Sequence, residues 1–341
     1  MAALGMNALD LPVEVASRLR CYDGQGDENL QQQLAEQAEA EVQRLLESTD
    51  EWQAWITYHN YYKAPDLVGQ SVCRSLNIPY FVIEASIAKS RLTGPWASFA
   101  ASADNATRSA DCVFYLTEQD RRALAKHKPP HQKLVRLPPF LNQTDLPAKQ
   151  NITRPDNRLL AVGMHRYGDK LESYRILADA LIHLKSSDWR LSIVGDGSAR
   201  ADIEKMFAGF GKQVVFLGQL DRTEINAAYQ QATVFVWPGV NEAFGMVYLE
   251  AQAAGIPVVA QDRSGVREVI ASSESLVPVS PERQSEPQDD AKALALRIDK
   301  ILGDSALQES MVKTAYEFIR SQHLLDSAAR TLTEQLQRVL R

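Results

Sequence analysis

The chain has 341 residues, 45% hydrophobic and 23% charged, and at about 150 residues per domain it is long enough for two cores. Lys and Arg number 37 against 43 Asp and Glu, a net charge of −6 that argues against a protein whose work is to coat nucleic-acid phosphates. No run reaches the roughly 18 apolar residues of a membrane span, the N-terminal residues lack the form of a signal peptide, and Cys21, Cys73 and Cys112 lack the spacing of a disulfide framework or zinc knuckle, so reduced thiols and a cytoplasmic address are the simplest reading.

Short apolar runs alternate with helical patterns along most of the chain, the sequence form of parallel sheets covered by helices, which predicts an α/β fold with two doubly wound domains. Pro12 to Ser17 (PVEVAS) alternates like a strand, and Leu30, Leu34, Ala38, Val42 and Leu45 then recur at helical spacing. Strands are expected at Ala54–His59, Pro79–Glu84, Asp111–Leu116 and Lys133–Leu137, each short and apolar enough to be central, with helices between them. The polar, proline-marked stretch from Pro138 to Asn157 reads as a linker. Beyond it come RLLAVG (Arg158–Gly163), a helix from Leu171 to Leu184, WRLSIVG (Trp189–Gly195) and a helix near Asp202. QVVFLG (Gln213–Gly218), a helix near Glu224, TVFVWPG (Thr233–Gly239), a helix around Glu250, IPVVA (Ile256–Ala260) and SLVPV (Ser275–Val279) follow. The C-terminal segment reads as helices that pack back on the first domain. The expected divisions are 1–140 for the first domain, 141–157 for the linker, 158–322 for the second domain and 323–341 for a terminal helix.

The most informative stretch runs from Asn241 to Ala260, NEAFGMVYLEAQAAGIPVVA. Glu242 falls in the loop after a strand, Gly245 lets backbone approach a ligand, and Glu250 lies one turn into the next helix. Both carboxylates are expected to face the crevice outside the carboxyl ends of the strands, where open α/β sheets bind ligands. The amides of Phe244, Gly245 and Met246 would form a helix N-terminus suited to a phosphate, and a carboxylate can accept from two neighbouring hydroxyls, so the set fits a ligand of sugar, phosphate and ribose. Glutamate is also common at helix starts without any ligand, and the spacing alone does not separate the two readings.

The run E-A-F-G-M-V-Y-L-E followed by A-x-A-A-G-I-P-V-V-A resembles the signature of family 4 glycosyltransferases, with the likeness strongest from Arg158 to Ile270. The resemblance implies a GT-B fold, two Rossmann-like domains with a cleft between them, and a retaining, metal-independent hexosyltransferase. Its donor would be a nucleotide-sugar, a substrate and not a cofactor. Glu242 would meet the donor sugar hydroxyls, Glu250 the ribose, and the Phe244–Met246 amides a phosphate, with Gly163 at the end of the first strand of that domain. Lys170 and Arg166 would hold the diphosphate, whose charge grows as the glycosidic bond breaks; Met164 stands where an Arg is usual. Backbone near Gly218 and Leu220 would meet the nucleobase. His59, at a strand end, would meet the acceptor or the donor phosphate, and Lys89, Arg91 and Trp96 would form part of an acceptor wall. In the mechanism so implied the departing diphosphate takes the acceptor proton. The acceptor is left open as a saccharide, a lipid-linked molecule or a small molecule; no nucleic acid is expected, and peripheral contact with the inner face of a membrane is compatible with the family.

Two departures qualify the resemblance. Glu84, Ala85 and Ser86 stand where many relatives carry a histidine, and PVEVAS looks like the second strand of the pattern, so that Met1–Leu9 would be only the tail of the first helix and the usual first strand and Gly-rich loop are missing. They support, as the alternative, a non-catalytic nucleotide-binding or scaffold protein, or a form truncated at its start and inactive; an epimerase or phosphorylase keeps the fold with another reaction. IVGDGSAR (Ile193–Arg200) has the form of a dinucleotide fingerprint, but Arg200 occupies the third glycine's place, so it reads as a tight structural turn.

Overall fold

The computed structural model describes residues 11–146, 157–279 and 287–340, with the side chains of residues 287 and 288 excepted. By internal contacts the chain divides into two compact units, Met1–Pro138 with Leu325–Arg341, and Pro139–Leu324. The expected helix tail at Met1–Leu9 and most of the expected linker, residues 147–156, lie outside the described residues.

In the first unit, helix α1 (Glu28–Leu46) starts where the Asp27 carboxylate accepts from the amides of Asn29 and Leu30, and of the residues set at helical spacing it buries Leu34, Ala38, Val42 and Leu45 while Leu30 is exposed. Strand β1 (Trp55–Asn60), helix α2 (Gly69–Leu76), β2 (Tyr80–Ala85), α3 (Ala97–Ser109), β3 (Cys112–Tyr115), α4 (Glu118–Ala125) and β4 (Lys133–Arg136) follow. The four strands are parallel and lie in chain order. Phe81, Val82, Val113 and Phe114 of the two inner strands are fully buried, as strands covered on both faces must be. Among the described residues β1 and β4 are edge strands with exposed positions, so the expectation that all four are central holds there only for β2 and β3.

PVEVAS is not a strand. Pro12–Val15 are exposed, and no described strand pairs with the outer edge of β1. Alternation alone does not make a strand: its amides and carbonyls need a neighbour. Between residues Ser17–Tyr22 and β1 lies a cavity of about 430 Å³.

The second unit runs β5 (Asn157–Val162), α5 (Asp169–Ile182), β6 (Trp189–Val194), α6 (Arg200–Phe207), β7 (Val214–Gly218), α7 (Arg222–Gln231), β8 (Val234–Val236), α8 (Met246–Ala253), β9 (Val258–Gln261), β10 (Leu276–Val277), α9 (Pro287–Leu302) and α10 (Ser305–Gln322). All six strands are parallel, in the order β10-β9-β8-β5-β6-β7. From β5 the chain first builds one side of the sheet and then returns to build the other, which places a topological switch point between β5 and β8. The closing helix α11 (Leu325–Val339) groups with the first unit and buries Leu325, Ala328, Leu332 and Leu336. Cys21, Cys73 and Cys112 are free thiols, all buried.

Candidate functional site

The carboxyl ends of β5, β6 and β7 are sewn together by backbone. Gly163 N donates to Val194 O (3.0 Å), His165 N to Asp196 O (3.0 Å) and Gly195 N to Gly218 O (2.8 Å). A Cβ on Gly195 would lie 1.9 Å from Gly163 O, and one on Gly197 would lie 2.4 Å from His165 O, so the GDG turn has glycines because two loops touch there. His165 is fully buried beneath this turn, its ring edge-on to Tyr174 and Phe216, with neither ring nitrogen hydrogen-bonded among the described residues. Burial lowers its pKa, favouring the neutral imidazole.

At the switch point the loop after β8 meets the first turns of α5. Val240 N donates to Ser173 Oγ (3.0 Å) and Asn241 Nδ2 to Asp169 Oδ1 (2.8 Å). Beside these bonds Lys170 Nζ forms an ion pair with Glu242 Oε1, at side-chain exposures of 17% and 15%. The same carboxylate oxygen accepts from the indole Nε1 of Trp237 at 3.1 Å. Trp237 is fully buried; Lys170 Nζ stands 5.5 Å from its ring centroid, and Tyr248 Oη donates to its carbonyl (3.0 Å). Gly163 has no side chain because Trp237 fills the space: a Cβ there would lie 2.7 Å from the indole. Lys170 and Glu242, nominated separately in the sequence, are thus brought together, with Trp237 as a third member that no motif signals.

Gly245, at φ 80°, precedes α8, whose first turn has no side-chain cap; the Tyr248 amide donates to Gly245 O (3.1 Å), which leaves the amides of Met246 and Val247 for an outside partner. The loop is held from behind by Gly265, where a Cβ would lie 1.7 Å from Ala243 O. Phe244 and Met246 are half-buried and pack on the core of this unit. Glu250 has a different partner from Glu242: Tyr229 Oη donates to its Oε2 (2.9 Å). Burial raises the Glu250 pKa, partly offset by that hydrogen bond. Arg166 is exposed, with no side-chain partner among the described residues, and Met164 is 50% exposed. Gly218 closes β7 at φ 70°, and Leu220 is half-buried just before α7.

His59 belongs to the other unit. At φ 66° it stands one residue before the end of β1 in the left-handed region, and across from it, one residue before the end of β2, stands Glu84, also left-handed at φ 60°. His59 Nδ1 lies 3.2 Å from Glu84 Oε2, and this bond raises the histidine pKa. The Glu84 departure from the expected histidine therefore supplies His59 with a partner.

Residues 143–318 match the family of glycosyl transferases group 1, a stretch that contains all the site residues of the second unit. The chain is 40% identical over 86 residues to the sulfoquinovosyl transferase SQD2 of Arabidopsis thaliana, covering 25% of this chain and 16% of that protein. It is 33% identical over 160 residues to a phosphatidyl-myo-inositol mannosyltransferase of Mycobacterium leprae, covering 46% and 40%. These alignments span less than two thirds of those relatives' own length. Among solved structures, HepE of Anabaena in complex with UDP superposes with a TM-score of 0.69 at 18% identity, covering 90% of this chain and 83% of that one, a likeness of fold. With parallel sheets, GT-B neighbours and a family match over more than half its length, the chain belongs to the glycosyl transferases group 1.

Proposed function

We propose that the protein transfers a sugar from a nucleotide-sugar donor to an acceptor hydroxyl with retention at the anomeric carbon. The observation that carries this reading is the Lys170–Glu242–Trp237 group at the switch point, next to the uncapped start of α8. Glu242 would hold sugar hydroxyls, Glu250 the ribose hydroxyls, and Gly218 to Leu220 the base by backbone. Lys170, Arg166 and the α8 amides would hold the diphosphate, whose added negative charge in the transition state strengthens each contact as the bond to the sugar breaks. His59 would meet the acceptor. No carboxylate is assigned as nucleophile; the departing diphosphate takes the acceptor proton.

Thermal unfolding against a panel of nucleoside diphosphates and nucleotide-sugars tests the donor site, since a ligand of the native state raises Tm by mass action. A selective rise that Glu250→Ala abolishes is the expected result; no rise with any nucleotide, from a folded chain, would remove the reading. In a transfer assay Lys170→Ala and Glu242→Ala should each lower turnover at least about 10²-fold, the scale for one lost transition-state contact. A non-catalytic nucleotide-binding protein is the second reading. It draws on exposed Met164 in place of an Arg and on the irregular Pro12–Ser17 segment, and nucleotide binding without product release from the bound donor would favour it.

A further inference from the structure

Two adjacent parallel strands of the first unit both carry a non-glycine residue at positive φ in their next-to-last position, His59 and Glu84, and the two side chains meet at 3.2 Å. Such conformations persist where surrounding structure enforces them, and they gather at functional sites. His59 Nε2 has no partner among the described residues. From His59 an unbroken series of rings leads onward: His59 to Tyr61 at 4.6 Å between centroids, Tyr61 to Tyr62 at 5.7 Å, and Tyr62 to Trp96 at 5.7 Å.

Two cations sit over the last ring pair. Lys63 Nζ is 5.8 Å from the Tyr62 centroid and 5.4 Å from that of Trp96; Arg91 Cζ is 5.3 Å from both. Through the shared Trp96 ring no more than about 11 Å can separate the two charges, about one Debye length at 0.1 M salt. Neither has an ion-pair partner among the described residues. Two carboxylates of this region are engaged elsewhere: Glu84 by His59, and Asp23 by the amides of Gln25, Gly26 and Asp27 and by Gln31 Nε2. Asp104 lines a small cavity with Tyr62 and Lys89, on the side that adds a third cation. Ring faces hold the cations in place without neutralising them, which leaves both charges available to an oxyanion.

We propose that the carboxyl ends of β1 and β2 bind the acceptor, and that the acceptor carries a phosphate-type oxyanion held by Lys63 and Arg91 while its hydroxyl lies beside His59. This rests on the sugar-transfer reading and narrows its acceptor to an anionic molecule with apolar surface for the faces of Tyr61 and Tyr62. The oxyanion can belong to a soluble phosphate ester or to a phospholipid headgroup; the two arms of the test separate them.

In the first arm, inorganic phosphate is titrated at constant ionic strength into the full chain saturated with the nucleoside diphosphate that shifts Tm most, and into Lys170→Ala. We expect phosphate to raise Tm by roughly 2 °C beyond chloride in both. The double variant Lys63→Gln with Arg91→Gln, which keeps the apolar stems over the rings, should lose this rise while keeping the nucleotide shift. In the second arm, co-sedimentation with phosphatidylcholine vesicles is compared with and without phosphatidylglycerol. A response dependent on Lys63 and Arg91 with phosphate assigns a soluble ester; one with anionic vesicles alone assigns a headgroup. Equal responses in wild type and double variant, or no response in either arm, would overturn the proposal. Loss of the nucleotide shift in wild type would instead strike the donor reading.

Discussion

Replacing Trp237 with Phe removes one N–H and a few ring atoms from the centre of the candidate donor site. The indole is fully buried and donates at 3.1 Å to Glu242, a carboxylate only 15% exposed, so water cannot fully replace the lost donor. A hydrogen bond to a charged group contributes about 1.5–3 kcal/mol, and Lys170 remains on the same oxygen to hold part of it. The smaller ring adds a packing loss, so a total of roughly 2–4 kcal/mol is expected, or a fall in Tm of about 5–10 °C for a unit of this size. Packing and hydrogen bond are separated by a double-mutant cycle with Glu242→Gln, measured by urea unfolding. Coupling of about 1 kcal/mol or more is expected, because each single variant already weakens the same bond. In parallel, Trp237→Phe should weaken the thermal shift from nucleotide-sugars more than that from the matching nucleoside diphosphate, since Glu242 is the sugar-side group. Additivity within about 0.3 kcal/mol, with both ligand shifts intact, would refute the assignment of Trp237 as the residue that holds Glu242 in place.

Three further expectations concern pH and packing. The Glu250 pKa lies above its ordinary 4.5 in the folded protein, so its contribution to stability is fully present below pH 4.5 and is lost as pH rises through the folded value. Glu250→Gln should therefore gain on wild type as pH rises from 4 to 7.5; parallel Tm curves for the two would contradict this. His59 titrates above its ordinary 6.5 because of Glu84, so Glu84→Gln should lower the midpoint of the His59 ring signal in NMR, and the stability difference between the two proteins should be largest below pH 6.5 and shrink above the folded midpoint. An unchanged midpoint would show that Glu84 does not set it. Gly265→Ala puts a Cβ 1.7 Å from Ala243 O, an overpacking cost of roughly 1–3 kcal/mol that should displace the Glu242 loop and abolish nucleotide-sugar shifts; retained shifts would mean the loop yields without moving Glu242.

Much of the fold was legible because each inner strand is a short apolar run closed by glycine or a polar turn, and a parallel strand buried on both faces needs little else. Leu159 to Val162 and Leu191 to Val194 are read that way, and both are strands. PVEVAS has a different strand-like pattern, alternation, and is irregular, because pairing is decided by what lies alongside and not by the segment itself. The edge positions of β1 and β4 were hidden for the same reason.

The candidate site divides similarly. The local pattern around Asn241–Ala260 nominated Glu242, Gly245 and Glu250, since loop, turn and helix start are contiguous in the chain. Only tertiary structure joined Lys170 to Glu242, separated by 72 positions, gave Trp237 its partner, and set Gly265 against the loop. It also turned Glu84, a departure in sequence, into the partner of His59, and stacked Lys63 and Arg91 on shared rings. Hydrophobic periodicity records which face of a segment is buried, and that much the sequence determined alone. Which charges meet depends on strand order and loop contacts between distant segments, and those exist only once the chain has folded.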